Sequence, residues 1–211
     1  MAAIRVTYVF DAYCGWCYGF GPAIRAFADA NADTVDVKVL SGGLFRDDRA
    51  LPLRDYPYIP QANVRIAQMT GVSFGEGYQQ TLAAGDVVMD SMDAAVGLAA
   101  LRSLAPDRAL EFASAMQQSR YRDGASLSEP ATYRAIAAER GLDPDAVERA
   151  LHDPATKVAA TADIRSVAEL GVDGYPTLLV HTGTGVIRLG SPTSTGEQLT
   201  AAFLPLLTPT A

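Results

Sequence analysis

Strand-forming sequence is confined to the two ends of this chain, and that distribution leaves few folds open. Ile4 to Phe10 (Ile-Arg-Val-Thr-Tyr-Val-Phe) is rich in β-branched and aromatic residues and reads as a buried strand ended by Asp11. Val35 to Leu40 alternates apolar and polar side chains and reads as a second strand. Between them Phe20, Ile24 and Phe27 recur at spacings of four and three, on one face of a helix that fades near Asn31. Gly19, Gly21 and Pro22 interrupt this helix, so a kink or a broken first turn is expected there. Strand, helix and strand in so short a span imply a right-handed parallel βαβ unit.

Ser41-Gly42-Gly43 is a turn whose glycines permit positive φ or a close backbone approach. Strand signals then stop for more than a hundred residues. Pro52 to Pro60 reads as a surface loop, followed by helical patterns over Ala62 to Met69, Gln79 to Ala84, Ser91 to Leu104 and Asp107 to Tyr121. A further helix opens at Pro130 and stops at Arg140-Gly141, and Asp143-Pro144 starts a short one to Leu151. The last part returns to α/β. A helix from Thr156 to Leu170 leads into a loop and a buried strand through Val180. Thr182-Gly183-Thr184-Gly185 forms a hairpin turn before a return strand from Val186 to Leu189. Thr195 and Gln198 then make a capping-box pattern for a final helix to Leu207.

Both cysteines fall where the first strand gives way to the first helix, in Tyr13-Cys14-Gly15-Trp16-Cys17-Tyr18. Unpaired N–H groups and the positive end of the helix dipole stabilise a thiolate at Cys14, and Cys17 lies one turn further in on the same face. A Cys14 thiolate can attack a disulfide in another molecule, and Cys17 can resolve the mixed disulfide. Two cysteines in one motif make no disulfide framework for the fold, so they serve chemistry or are inert, and a Gly-Trp linker at a strand-to-helix junction is poor core sequence for inert ones. Structural zinc needs two more ligands, and His152 and His181 have no spacing relation to the pair.

With 211 residues, 49% of them hydrophobic, the chain can bury a real core. A net charge of -7 and a pI near 4.8 exclude a nucleic-acid or anionic-membrane surface, which needs clustered Lys and Arg. Apolar stretches such as Ala94 to Leu101 are far short of a membrane span, and no secretory pattern precedes Ile4, so a cytoplasmic protein is expected.

The Cys14-Gly15-Trp16-Cys17 and Gly174-Tyr175-Pro176-Thr177 motifs, with Ser41-Gly42-Gly43-Leu44 in support and in this order of elements, resemble the DsbA-like disulfide oxidoreductases, closest to their signal-less, FrnE-like branch. The resemblance implies an α/β thioredoxin fold with a large α-helical insertion between the βαβ and ββα halves: residues 1–44 and 156–211 as the thioredoxin-like domain, 45–155 as the insertion. It implies a cis Tyr175-Pro176 bond packed against the cysteines, a site where cis is cheap, and a Tyr175 backbone offered to a substrate peptide that adds as a strand. It further implies a thiol-disulfide oxidoreductase that reduces, isomerises or forms disulfides in protein substrates, without an organic cofactor and with glutathione as a possible reductant. A reducing cytoplasm favours reduction or isomerisation.

The chain departs from this family's strongly oxidising members. No histidine separates the cysteines, so the helix terminus must supply most of the support for the thiolate and a moderate redox poise is expected. The strand position six residues before Cys14, often a buried acid in relatives, is Tyr8. Asp11 is the nearest carboxylate, either a proton acceptor for Cys17 or a plain strand-end cap. Tyr13 and Trp16 are expected to be partly exposed as a rim for substrate, with Phe20 in the core. Met69, Met89, Met92 and Met116 read as core fillers before they read as an adaptable groove. The rival function is a glutathione-dependent isomerase or transferase resembling the kappa-class and hydroxychromene carboxylate isomerase group, which is expected to carry serine at the first cysteine position. A non-catalytic peptide-binding module is the other rival.

Overall fold

The computed structural model describes residues 3–183 and 185–207. Strands β1 (Ile4–Phe10) and β2 (Val35–Ser41) run parallel, from Ile4 beside Val35 to Phe10 beside Ser41, and are joined by helix α1 (Gly15–Ala30). Strand β3 (Thr177–Thr182) lies antiparallel to β1 and β4 (Gly185–Arg188) antiparallel to β3, so the sheet order is β2-β1-β3-β4. Between β2 and β3 come α2 (Ile59–Thr70), α3 (Glu76–Ala84), α4 (Ser91–Leu104), α5 (Ala109–Tyr121), α6 (Pro130–Glu139), α7 (Pro144–His152) and α8 (Pro154–Glu169). Helix α9 (Gly196–Phe203) follows β4. This is the expected α/β thioredoxin architecture with helices inserted between its βαβ and ββα halves. Thr184, in the expected hairpin turn, lies outside the described residues.

β1 is paired on both edges and buried from Val6 to Phe10, which is why it reads as a continuous apolar run. Val6, Tyr8 and Phe10 share a core with Phe20, Ile24 and Phe27 of α1 and with Leu199 and Phe203 of α9. On the opposite face Val9 and Leu40 pack against Val167 of α8. The helical segment is tied to the sheet by Arg102 of α4, whose Nη1 donates to Asp163 Oδ2 on α8 (2.9 Å) and to the Val39 carbonyl of β2 (3.1 Å).

Helix α1 has no broken first turn, one of the two forms of interruption expected of it. It runs unbroken from Gly15 to Ala30 with Pro22 inside it. Its glycines serve packing: a Cβ on Gly15 would lie 2.9 Å from Ile66 Cδ1, and one on Gly19 2.9 Å from Ile66 Cγ2 and Thr70 Oγ1. The close approach of α2 offsets the propensity cost of about 1 kcal/mol for each glycine. Helix starts at Asp143 and Thr195 follow the sequence: Asp143 Oδ1 accepts from Asp145 N at 2.9 Å, and both capping-box bonds of Thr195 and Gln198 form. Helix α2 begins at Ile59, before the expected Ala62, because Pro60 fits a first helical turn.

Gly97 of α4 faces the Tyr133 ring, which a Cβ there would overlap. Gly97→Ala gains roughly 1 kcal/mol of helix propensity, but overpacking a buried contact costs about 1–3 kcal/mol and more when neither neighbour can move. The variant is therefore expected to unfold at lower urea than the wild type; equal or greater stability means that Tyr133 yields freely. Thr195→Ala removes the α9 cap and is expected to cost about 1 kcal/mol, read by the same denaturation curves.

Candidate active site

Cys14 is the N-cap of α1, with extended φ -83° and ψ 110°. Its N–H donates to the Asp11 carbonyl at 3.0 Å and its carbonyl accepts from Tyr18 N at 3.1 Å, so the chain turns from β1 into the helix across the sulfur-bearing residue. The N–H groups of the first turn have no intrahelical acceptor and gather beside it. Both cysteines are free thiols. Cys14 is 6% exposed and Cys17 is fully enclosed. Burial pushes the Cys17 thiol well above its ordinary value, and its hydrogen bond with Cys14 and the charge there act in the same direction.

The Cys14 thiol donates to the Tyr175 carbonyl oxygen across 3.5 Å, and the Tyr175-Pro176 bond is cis. Four residues named from the sequence, Cys14, Cys17, Tyr175 and Pro176, thus converge at one end of the sheet. The Ser41-Gly42-Gly43 turn explains its glycines there by close approach, since neither has a positive φ. A Cβ on Gly42 would run into the Tyr175 ring, and Gly43 N donates to Tyr175 Oη at 3.2 Å. The Asp11 carboxylate joins the same loops, accepting from Tyr13 N at 3.0 Å and Leu44 N at 2.9 Å. Burial raises its pKa, opposed by the hydrogen bonds from Leu44, Ser91 and Tyr13. Each of its oxygens accepts one backbone N–H, which ties the strand end to the loops on either side. At the position of the buried acid, Tyr8 is 1% exposed and is kept protonated by burial first, then by the neighbouring Cys17 and Cys14.

Trp16 is part-exposed at the rim, but Tyr13 is not: it is 4% exposed, which corrects the expected rim position. The inserted helices close over it. Its ring stands edge-on to Phe45 at 6.4 Å, Arg120 Cζ lies 5.7 Å from the ring centroid, and burial pushes its hydroxyl up to about 12. Phe20 is in the core as expected. Of the methionines, Met116 is core, Met92 is part-buried and Met69 is 48% exposed. Met89 is buried and lines a cavity of about 130 Å³ beside Cys14, together with Tyr13, Trp16, Tyr78 and Arg120. His181 bonds Thr7 at the far end of the sheet, 2.8 Å from its hydroxyl, and His152 ends α7.

Sequence reasoning missed Arg120, which is 1% exposed. The signal was present: Phe112, Met116 and Arg120 repeat at a spacing of four, so the arginine lies on the apolar stripe of its own helix.

Comparison with curated protein sequences yields no match. Among solved structures, a Nitrosomonas europaea protein is 21% identical, with 98% of this chain and 100% of that one covered and a TM-score of 0.84. The cytosolic disulfide reductase DsbM from Pseudomonas aeruginosa is 25% identical, with 95% of this chain and 97% of that one covered and a TM-score of 0.82; its structure with glutathione also matches. A 2-hydroxychromene-2-carboxylate isomerase shares the fold at 16% identity, with 87% of each chain covered and a TM-score of 0.60. The model of the DSBA-like thioredoxin domain matches residues 5–199, nearly the whole chain, and with the Cys14–Cys17 motif at the first helix and a cis proline before β3 the chain belongs to this family.

Proposed function

We propose that the protein is a thiol-disulfide oxidoreductase in which Cys14 is the nucleophile and Cys17 the resolving thiol. The observation that carries this is the Cys14 sulfur at a helix N-cap, in contact with the Tyr175 carbonyl, with Cys17 enclosed behind it. The Cys14 thiolate attacks one sulfur of a substrate disulfide, forming a mixed disulfide and releasing the first substrate thiolate. Cys17 gives up its proton and attacks Cys14 Sγ, which forms the Cys14–Cys17 disulfide and releases the second thiolate. Two electrons pass from the dithiol to the substrate, and two equivalents of an external thiol such as glutathione restore the dithiol.

Tyr175, Pro176 and Trp16 shape the substrate side of the site, and the Tyr175 backbone offers an edge to an extended peptide. Reduction or isomerisation of protein and peptide disulfides in the cytoplasm is the favoured direction. Support comes from DsbM, a cytosolic disulfide reductase that also has a glutathione-bound structure. Among the described residues no helix is long and apolar enough to cross a membrane. The shared fold of the hydroxychromene isomerase keeps one rival in view, a glutathione-dependent isomerase that does not need Cys17.

Insulin reduction separates the two. Wild type is expected to be active and both Cys14→Ser and Cys17→Ser to fall to background; full activity in Cys17→Ser would falsify the dithiol mechanism in favour of the isomerase. A second expectation follows from the raised Cys17 pKa. A thiol titrating above the working pH gains thiolate about tenfold per pH unit, so decay of the mixed disulfide accelerates by about that factor for each unit, roughly a hundredfold, as pH rises from 6 to 8. Quenched-flow mass spectrometry reads the rate, and a flat profile contradicts a protonated Cys17.

A further inference from the structure

Among the described residues that line the cavity beside Cys14, Arg120 is the one that carries a charge, and no carboxylate is among them. Among the described residues its Nη1 and Nη2 have no hydrogen-bond partner. The guanidinium is held by aromatic faces, with Cζ 5.7 Å from the Tyr13 ring centroid and 5.2 Å from that of Tyr78. Ring faces attract a cation but leave the in-plane N–H donors of the guanidinium unused. If packing were its only task, an apolar side chain of equal length would serve as well, since a buried charge is costly to desolvate. A second donor stands close by: Tyr78 Oη accepts from Asn63 Nδ2 at 3.1 Å, which leaves its own O–H free to donate.

The cavity volume of about 130 Å³ is below the roughly 300–1,000 Å³ of a site that encloses a whole small molecule. It suits one group of a larger ligand whose sulfur is at Cys14. We propose that this cavity is a carboxylate subsite, in which a disulfide substrate engaged by Cys14 sets a carboxylate against Arg120 and the Tyr78 hydroxyl. A carboxylate matches the planar guanidinium edge and supplies the missing countercharge. The inference rests on the oxidoreductase reading and adds the substrate class: disulfides that carry a carboxylate near the sulfur.

Single-turnover oxidation of the reduced protein, followed by Trp16 fluorescence, tests this with two disulfides of equal length, bis(2-carboxyethyl) disulfide and its neutral amide, bis(2-carbamoylethyl) disulfide. The acid-to-neutral rate ratio is expected to fall about tenfold or more in Arg120→Met, the loss of a charged hydrogen bond, and to be partly kept in Arg120→Lys. An unchanged ratio, with both rates reduced alike, overturns the subsite and assigns the cation to the Cys14 thiolate. Oxidation of the wild type by neither disulfide defeats the oxidoreductase reading itself, a separate failure. Paired peptide disulfides with Glu or Gln beside the cysteine show whether the carboxylate comes from a protein or a small thiol, and a preference in either pair supports the subsite. If Arg120→Met does not fold, calorimetric titration of Cys14→Ser decides: 3-mercaptopropionate binds more tightly than 3-mercaptopropionamide, or the proposal is wrong.

Discussion

Everything at the reactive end of this molecule depends on β1 being paired along both edges. A strand fixed between β2 and β3 cannot shift, so the residue after its last ladder bond is fixed as well. That residue is Asp11, and three positions later Cys14 caps α1. Because β2 runs parallel to β1 and β3 runs antiparallel, the end of β2 and the beginning of β3 reach the same end of the sheet. The Ser41-Gly42-Gly43 turn and the Tyr175-Pro176 loop therefore meet the cysteines without any long excursion. The Gly42 backbone against the Tyr175 ring, and the two N–H groups on Asp11, then hold these loops in place.

The inserted helices do more than lengthen the chain. They supply Tyr78 and Arg120 to the wall beside Cys14, the connection between α3 and α4 adds Met89, and Arg120 packs over the ring of the buried Tyr13. Burial keeps Cys17 protonated, as the proposed resolving role requires of it before the mixed disulfide forms. The same enclosure makes the unpaired Arg120 conspicuous in a chain whose net charge is -7.

Much of this was legible in the sequence because the signals are local. Alternation gave β2, β-branched residues gave β1, and caps such as Asp143 and Thr195 are read from side chains that bond their own backbone. The cysteine motif and the Gly-Tyr-Pro-Thr loop carry the reactive end in a few residues. What could not be read is what depends on neighbours distant in sequence. The glycines of α1 look like breaks until Ile66 and Thr70 are seen against them, and Tyr13 looks like a rim residue until Phe45 and Arg120 enclose it. Arg120 itself is visible only as a charge on an apolar stripe, which a reader scanning for charge clusters passes over.

The pairing of β1 with β3 also sets an order of events in synthesis. Thr7 and His181, 174 positions apart, are bonded across the sheet, so β1 cannot be covered on that edge until β3 has been made. The contacts within the helical segment, such as those joining α4 to α5 and α6 to α7, are far more local and close sooner. The βαβ unit thus precedes the helical segment yet is completed after it, and in the interval an apolar strand edge next to two thiols has only the helices to shield it.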